Sequence, residues 1–252
     1  MGFLETKYNG LRLRLRYSSI GIFYLKSSDI KIPTRLKING TYKEFKFLDS
    51  RHRYFTYEFR EICINDGYHL KELKKHLQGV TTILDIGANQ GLFTIAARQQ
   101  FPKAKIFCYE PNKQLKNVLD HNSMQLNANA WYEAVTKKDC KVELAFGETD
   151  LQNTTKVSLN GEIAGTAFKK VIERAGGNID LLKLDCEGAE WELLEDEDSW
   201  KKIRSLTMEY HLWAREGSSF DDIKRILEKL NFKILIHNPL SASFGIVTAI
   251  KV

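Results

Sequence analysis

The sequence has no apolar run approaching the roughly 18 residues that a membrane-spanning helix requires, so it predicts no transmembrane segment. The longest apolar run near the N-terminus, residues 20–25, is too short for the core of a signal peptide and lacks a small-residue cleavage site. We therefore expect a cytoplasmic protein.

Closely spaced cysteines are also missing. No C-x-x-C pair occurs, so the sequence indicates neither a zinc site nor a disulfide framework, and buried thiols are expected at Cys63, Cys108, Cys140 and Cys186. Internal repeats and low-complexity segments are absent as well. A chain of 252 residues, 43% of them hydrophobic, is long enough to bury a full core.

Negative charge is scarce at the beginning of the chain. Residues 1–80 contain 16 Lys and Arg against 8 Asp and Glu, a net charge of +8, whereas the remainder contains 22 against 24. Residues 11–16 alternate leucine with arginine, as a strand with one arginine face would, and residues 43–60 interleave basic with aromatic side chains. Such a surface could bind RNA, a phosphorylated glycan or an anionic membrane, or it could be the solvated face of a small sheet.

We divide the chain into a basic N-terminal extension, residues 1–78, and a second domain, residues 79–252. Asn39-Gly40 predicts a hairpin turn between two short strands of the extension. The extension is therefore expected to be a small α/β unit that packs on the core.

A glycine turn lies between an apolar strand and a helical pattern. Residues 83–91 read I-L-D-I-G-A-N-Q-G, and the following residues place apolar side chains at helical spacing. A pyrophosphate-binding turn requires G-x-G-x-x-G, but Asn89 stands at the second glycine position and Phe93 lies two residues beyond Gly91. A cofactor without phosphates fits better. S-adenosylmethionine carries an ammonium and a sulfonium group, near which the carboxylate of Asp85 is favourable.

An acidic residue also ends the next strand. Residues 105–110 finish in Glu110, about 20 residues after the turn, where a carboxylate accepts hydrogen bonds from both ribose hydroxyls. A third strand over residues 130–135 is expected to lie with its tip beside the adenine. The predicted cofactor-binding residues are Asp85, Gly87, Ala88, Asn89, Gly91, Glu110, Pro111, Ala134 and Asp185.

Residues 180–190 combine an apolar strand with a row of charges. Strand alternation directs three charged side chains to one face, namely Lys183, Asp185 and Glu187. Charges on one face of a central strand are costly unless they pair or take part in chemistry. Gly188 then turns the chain into a helix that begins near Glu190.

These two motifs resemble those of the FkbM family of methyltransferases. The family's hallmarks are an aspartate-glycine-alanine-asparagine-glycine turn, found here within residues 85–91, and a lysine-x-aspartate-x-glutamate-glycine-alanine-glutamate strand end, found at residues 183–190. The similarity runs from about Glu61 to His211. It implies an S-adenosylmethionine-dependent enzyme that methylates hydroxyl groups on sugars, polyketides or other secondary metabolites.

Two positions depart from the family pattern. Gln90 stands where an aliphatic residue is usual, and residues 166–168 replace a threonine-leucine-aspartate segment. The second departure leaves the acceptor contacts of that region open.

Strands and helices alternate along the second domain. This order predicts a mostly parallel, seven-stranded sheet with helices on both faces, the Rossmann-like class I methyltransferase fold. The fifth core strand covers residues 204–211, and the last two, residues 232–236 and 244–250, form an antiparallel edge around a turn at Asn238-Pro239. Residues 141–160 are expected to form short strands or a mobile flap.

Methyl transfer to an alcohol is an in-line displacement that needs an aligned oxygen, exclusion of water and a proton acceptor. His211 is the first candidate for the general base, with Glu209 as its partner or as an acceptor ligand. Asp185 and Glu187 are rivals, acting directly or by holding Mg²⁺. Lys183 balances these carboxylates, either for catalysis or within a buried ion network. Strand order predicts that all of these side chains gather at one sheet edge.

The sequence therefore favours an O-methyltransferase acting on a small molecule, a glycan or a glycolipid, with a peripheral membrane contact of the basic extension also open. A nucleic-acid methyltransferase is an alternative, but the Asn/Asp-Pro-Pro-aromatic strand end of exocyclic-amine methylation is replaced by residues 185–188 without proline. A non-catalytic binding protein that has kept the fold is a third hypothesis. Fold alone does not fix the acceptor.

Overall fold

The computed structural model describes residues 14–22, 32–48, 53–145, 154–158 and 161–252. The strands, in chain order, are β1 (Arg35–Ile38), β2 (Thr41–Glu44), β3 (Thr82–Ile86), β4 (Lys105–Tyr109), β5 (Asn129–Trp131), β6 (Ala134–Thr136), β7 (Cys140–Ala145), β8 (Thr154–Val157), β9 (Ile163–Ala167), β10 (Leu181–Leu184), β11 (Ser205–His211), β12 (Phe232–Pro239) and β13 (Phe244–Lys251).

The helices begin with α1, which includes residues 14–19. The others are α2 (Arg53–Phe59), α3 (Leu70–His76), α4 (Leu92–Gln100), α5 (Lys116–Leu126), α6 (Phe168–Arg174), α7 (Glu190–Leu194), α8 (Glu197–Trp200) and α9 (Phe220–Lys229). A π-helical turn, Arg60–Ile64, continues α2. In the ranges that the structure describes, none of these helices combines the length and the apolar character needed to cross a membrane.

Seven strands form the central sheet in the order β12-β13-β11-β10-β3-β4-β5. The five strands from β11 to β5 run parallel, whereas β13 is antiparallel to both β11 and β12. The predicted class I methyltransferase fold with its antiparallel edge is thus confirmed. Strand order reverses between β3 and β10, and ligands of such sheets bind beyond the carboxyl ends of the strands at this switch point.

Side-chain alternation builds a core on each face of the central sheet. Leu84 and Leu182 belong to the hydrophobic core on one face, and Ile83 and Leu181 belong to the core on the other. A strand buried on both faces reads as a nearly continuous apolar run. The polar exceptions on β3 and β10, Asp85 and Lys183, are partners in the strand register and therefore stand side by side.

The predicted third strand, residues 130–135, is divided between two sheets. β5 ends at Trp131, whose indole stacks on the rings of Phe107 and Tyr109, and β6 then joins a separate four-stranded sheet in the order β6-β9-β7-β8. Ala134 opens β6 and pairs with Gly165. The flap region is thus a sheet where the structure describes it, while residues 146–153 and 159–160 lie outside the described residues.

The predicted hairpin at Asn39-Gly40 is confirmed, since β1 and β2 pair antiparallel around it. The strand predicted for residues 11–16 is wrong in its described part, because residues 14–16 belong to α1; residues 11–13 lie outside the described residues. Helical spacing buries Tyr17 and Ile20 and leaves the preceding arginines in solvent.

Aromatic side chains fasten the extension to the second domain. Phe45, Phe55 and Phe59 are buried together with Leu92 of α4 and Leu126 of α5. Packing of this kind is the main source of stability for short helices. The boundary at residue 78 stays a prediction.

A buried asparagine also joins the extension to the glycine turn. Asn122 of α5 donates to the carbonyl oxygens of Lys46 and Gln90 and accepts from the Lys46 N–H. The unusual Gln90 has a partner in the extension as well, because its side-chain oxygen accepts from the Leu48 N–H at 2.7 Å. The extension is therefore in direct contact with the turn.

The turn predicted at Asn238-Pro239 is displaced. β12 continues through Pro239, and the reversal occurs over residues 240–243, where the N–H groups of Leu240 and Ser241 both donate to the Phe244 carbonyl. Pro239 pairs with Gly245 near the end of an edge strand, a position where the missing N–H of proline is tolerated.

Candidate active site

The glycine turn brings β3 against the carboxyl end of β10. Gly87 has φ +79°, and a Cβ atom added to it would lie 1.7 Å from the carbonyl oxygen of Asp185. Gly91 has φ +88° but open surroundings, with its nearest neighbour 3.5 Å away. The N–H groups of Gly87 and Ala88 both donate to the Tyr109 carbonyl, which ties the turn to β4. Glycine at position 87 is therefore required by a backbone contact as well as by its own conformation.

Glu110 lies beside this turn with its carboxylate held by two backbone donors. One oxygen accepts from the Asn89 N–H and the other from the Asn112 N–H, both at 2.8 Å. Burial raises the pKa of Glu110, against these two hydrogen bonds. Each carboxylate oxygen has a second lone pair, so the group can still accept from a diol. The turn and Glu110 together fit an adenosyl cofactor that brings ribose hydroxyls but no phosphate.

Asp85, the predicted neighbour of the cofactor ammonium, lies beside Lys183 near the end of β3. Its side chain is fully buried, and one oxygen accepts from the Thr94 hydroxyl at 2.7 Å. The other oxygen has no hydrogen-bond partner among the described residues and lies 3.5 Å from Lys183 Nζ. Asp85 is thus buried next to Lys183, and its contact with the cofactor ammonium stays a prediction.

Lys183 is the cation that joins the two strand ends. Its Nζ donates to the Gly87 carbonyl at 2.5 Å and lies 3.4 Å from the Asp185 carboxylate. Burial alone lowers the pKa of Lys183, but the charges of Asp185 and Asp85 raise it above its ordinary value. Lys183 is therefore a permanent positive charge under the turn, 3% exposed.

His211 stands among carboxylates at the end of β11. Its Nδ1 is 3.3 Å from Glu190, and its Nε2 is 3.6 Å from Glu187 and 3.7 Å from Glu209. Although burial lowers the pKa of His211, the carboxylates of Glu190, Glu209 and Asp185 raise it to about 11. A raised pKa favours the imidazolium form of the ring, which has no lone pair with which to accept a proton. The role of His211 as general base stays a prediction.

The two carboxylates nearest the His211 Nε2 belong to Glu187 and Glu209, and the pKa of each is raised. Burial and the charge of Asp185 raise the pKa of Glu187 to about 8, and the same causes raise that of Glu209. Glu187 is 30% exposed and Glu209 is 21% exposed, so both carboxylates can be reached from the crevice. A proton acceptor works best when its pKa lies near the working pH. The carboxylates are therefore better placed than the histidine for that role.

Replacing Glu187 with glutamine is expected to stabilise the fold at pH 8.5 and to have little effect near pH 5. The pKa of Glu187 is raised in the folded state, so folding is penalised progressively as pH rises from about 4.5 to about 8. The groups that face it are Asp185, Glu190, Glu209 and His211. Melting curves should show a gain on the order of 1 kcal/mol, about 2–4 °C, at the higher pH. Glu192→Gln, exposed on α7, is the control that should show no pH-dependent gain.

Two residues of the extension reach the same site, and neither was found from the sequence. The Tyr68 hydroxyl donates to the Asp185 carboxylate at 2.8 Å, and its ring packs edge-on against Phe93. Burial and then the charges of Asp185 and Glu209 raise the pKa of Glu58, on α2, to about 7. One signal was available, since Glu58 is the only acidic residue in the arginine-rich stretch of residues 50–60.

Ala134 stays untested as an adenine contact. It is 3% exposed at the start of β6, and the residues at the carboxyl end of β5 are Trp131 and Tyr132. Pro111 follows Glu110 directly and remains a predicted contact of the same kind.

Three candidate ligand atoms for a metal ion, from Asp185, Glu209 and His211, lie within 4.8 Å of one another. Oxygen-rich sets of this size can hold a hard divalent cation. Asp185 also contacts Tyr68 and Lys183, and His211 would coordinate a metal only through a neutral ring nitrogen.

A comparison with protein families matches residues 85–234 to the methyltransferase FkbM domain. Among curated proteins, the chain is 26% identical to "Methyltransferase sdnD" of Sordaria araneosa over 220 residues, 70% of this chain and 81% of that protein. It is 24% identical to "Methyltransferase 1" of Beauveria bassiana (strain ARSEF 2860) over 188 residues, 62% of this chain and 74% of that protein.

Among solved structures, the chain is similar to magnesium protoporphyrin IX methyltransferase from Synechocystis PCC 6803 with bound SAM. The TM-score is 0.44 at 13% identity, over 77% of this chain and 83% of that one.

Proposed function

Because the chain belongs to the FkbM methyltransferase family and is an S-adenosylmethionine-dependent methyltransferase, we propose that it methylates a hydroxyl oxygen of a small organic acceptor or glycan. The observation that carries the proposal is the group of carboxylates with raised pKa values at the carboxyl ends of β10 and β11. An alcohol must lose its proton as it is methylated, and a nearby proton acceptor contributes about 10²- to 10⁴-fold to such a step.

Some residues of the site bind the cofactor, and others take part in proton transfer. The glycine turn and Glu110 hold the adenosyl part, and the cofactor supplies an activated methyl group on a sulfonium. Glu187 accepts the hydroxyl proton of the acceptor, with Glu209 beside it as a hydrogen-bond acceptor that aligns the oxygen. His211 holds these two carboxylates in place, Lys183 pairs with Asp185, and Asp185 in turn positions the Tyr68 hydroxyl at the crevice.

A tryptophan beside the cluster supports a ring-shaped acceptor. The indole of Trp213 is 49% exposed, and its centroid lies 5.4 Å from that of His211. An exposed indole offers an apolar face on which the C–H face of a sugar or a fused-ring metabolite can pack. A sugar, glycan or secondary metabolite is therefore the proposed acceptor class.

We propose that this transfer needs no metal ion, because His211 and Lys183 already supply positive charge around Asp185. The test is transfer of labelled methyl groups from S-adenosylmethionine to a panel of sugars, glycolipids, polyketides and RNA, each with and without EDTA. Label in a hydroxyl compound with EDTA present is the expected result. Label in RNA alone, or a requirement for Mg²⁺, would contradict the proposal.

Glu110→Gln is expected to weaken adenosylhomocysteine binding by about 10- to 100-fold. The change replaces a charged acceptor by a neutral amide, and hydrogen bonds to charged groups are worth about 1.5–3 kcal/mol. Calorimetric titration measures the effect, and a melting curve checks that the fold is kept. Glu173→Gln, exposed on α6, is the matched control. Unchanged affinity in Glu110→Gln would remove the ribose contact from the assignment.

A further inference from the structure

Tyr68 brings a hydrogen-bond donor from the N-terminal extension into the site. It is 4% exposed, its ring centroid lies 5.4 Å from that of Phe93 on α4, and its hydroxyl donates to Asp185 Oδ2 at 2.8 Å. Burial and the charge of Asp185 raise the pKa of Tyr68 well above its ordinary value, so the hydroxyl keeps its proton. Tyr68 precedes the FkbM domain, which spans residues 85–234, so membership of the family assigns it no role.

The loop that carries Tyr68 is held on both sides of it. The Gly67 N–H donates to the Glu61 carbonyl at 2.8 Å. The Asp66 carboxylate accepts from two N–H groups in the first turn of α3, at 2.9 and 3.1 Å. His69 Nδ1 lies 3.0 Å from a threonine hydroxyl of β13. The position of the Tyr68 ring is therefore set by contacts that do not involve Asp185.

The Asp185 carboxylate is held through one of its two oxygens. The Tyr68 hydroxyl and Lys183 Nζ both reach Oδ2, at 2.8 and 3.4 Å. In the described ranges of the chain, no hydrogen bond or ion pair to Oδ1 is found. The Asp185 side chain is 22% exposed, so Oδ1 can accept a hydrogen bond from a ligand in the crevice.

The backbone of Asp185 also lies against the predicted cofactor turn. A Cβ atom added to Gly87 would be 1.7 Å from the Asp185 carbonyl oxygen. Asp85, the acidic residue just before the turn, is fully buried and accepts from the Thr94 hydroxyl. Of these two carboxylates, that of Asp185 is the one open to a ligand.

We propose that Tyr68 is a positioning residue that holds Asp185 so that its Oδ1 accepts a hydrogen bond from the ammonium group of the cofactor. The inference rests on the proposed function, because the ligand is the adenosyl cofactor of the methyltransferase. A carboxylate already held by a fixed donor loses less side-chain freedom when it binds. Lys183 faces the carboxylates of both Asp85 and Asp185, at 3.5 and 3.4 Å, so a second cation at Oδ1 is favourable.

The test compares adenosylhomocysteine with its deamino analogue, in which hydrogen replaces the amino group. Tyr68→Phe keeps the ring against Phe93 and removes the donor. We expect this variant to bind adenosylhomocysteine about tenfold more weakly, which is about 1.4 kcal/mol. Its affinity for the deamino analogue should stay as in the wild type. Calorimetric titration at pH 7 measures both affinities.

Two further variants show whether Tyr68 acts through Asp185. Asp185→Asn keeps the shape of the side chain and removes its charge, so adding Tyr68→Phe to it should cost no further adenosylhomocysteine affinity. Tyr210→Phe is the matched control, because Tyr210 is 2% exposed and its hydroxyl lies 2.8 Å from His237 Nε2, between β11 and β12. It should leave both affinities unchanged, and melting curves establish that each variant is folded.

A loss that is confined to adenosylhomocysteine, and that disappears in the Asp185→Asn background, supports the inference. Equal losses for the two ligands, or no loss in Tyr68→Phe, overturn it. An additive loss in the double variant also overturns it, since Tyr68 would then act on the cofactor by another route. A wild-type protein that binds both ligands equally has no ammonium contact and contradicts this inference alone, whereas one that binds neither contradicts the proposed function as well.

Discussion

Lys183→Met is expected to lower the free energy of unfolding by about 3–5 kcal/mol, the usual cost of removing one partner from a buried ion pair. Lys183 lies between the carboxylates of Asp85 and Asp185, and its Nζ also donates to the carbonyls of Ile86 and Gly87. Methionine fills a similar volume but provides neither charge nor donor. Two carboxylates, one of them fully buried, would then face each other without a cation.

A second substitution tests whether the pairing of Lys183 with Asp85 is the source of this stability. Asp85→Asn in the Lys183→Met background removes the buried charge that was left unpaired and is expected to recover about half of the loss, as seen by urea denaturation. Lys105→Met, exposed at the start of β4, should stay within about 0.5 kcal/mol of the wild type. If the double variant were as unstable as Lys183→Met alone, the pairing with Asp85 would not be the source of the stability.

The strand ends and the glycine turn could be predicted because they depend on local patterns. A glycine turn between an apolar strand and a helix fixes where a ligand enters, and strand alternation placed Lys183 and Asp185 on one face of β10. Parallel order then brings Glu209 and His211 to the same edge. The sequence therefore predicted which elements build the site.

The contacts that could not be predicted join residues that are far apart in the sequence. Tyr68 and Asp185 are 117 residues apart and form a side-chain hydrogen bond that no periodic pattern in the sequence indicates. The aromatic residues of α2 pack on α4, whereas the sequence pattern predicted a basic surface for that segment. The protonation of His211 likewise depends on Glu190, which reaches it from another element. The residue types of the site could be predicted, but the effect of each charge on its neighbours depends on the three-dimensional arrangement.

The sequence pattern also failed to distinguish a helix from a strand in one short segment, residues 11–16. Alternating leucine and arginine over residues 11–16 satisfied a period of two, yet residues 14–19 form a helix. Burial of Tyr17 and Ile20, three residues apart, decides the local structure, because packing outweighs propensity in short elements. The pattern of six residues was too brief to distinguish the two periods.

Gly87→Ala is expected to lower adenosylhomocysteine affinity far more than Gly91→Ala does. Both glycines have left-handed backbone conformations, with φ +79° and φ +88°. For each, an L-residue costs about 1–2 kcal/mol in that conformation. Only at Gly87 does the added Cβ also meet backbone, 1.7 Å from the Asp185 carbonyl oxygen, whereas at Gly91 the nearest atoms are a leucine methyl at 3.5 Å and the Asn122 Cβ at 3.8 Å.

Relief of the clash at Gly87 requires the ends of β3 and β10 to separate. That movement pulls the Gly87 carbonyl from Lys183 Nζ and shifts the turn whose Asn89 N–H orients Glu110. We therefore expect Gly87→Ala to lose adenosylhomocysteine affinity by at least about 100-fold, or about 2.7 kcal/mol, and Gly91→Ala to lose only a few-fold. Calorimetry on folded protein measures both. Equal effects of the two substitutions would mean that backbone conformation alone, and not the contact between the two strand ends, sets the requirement for glycine.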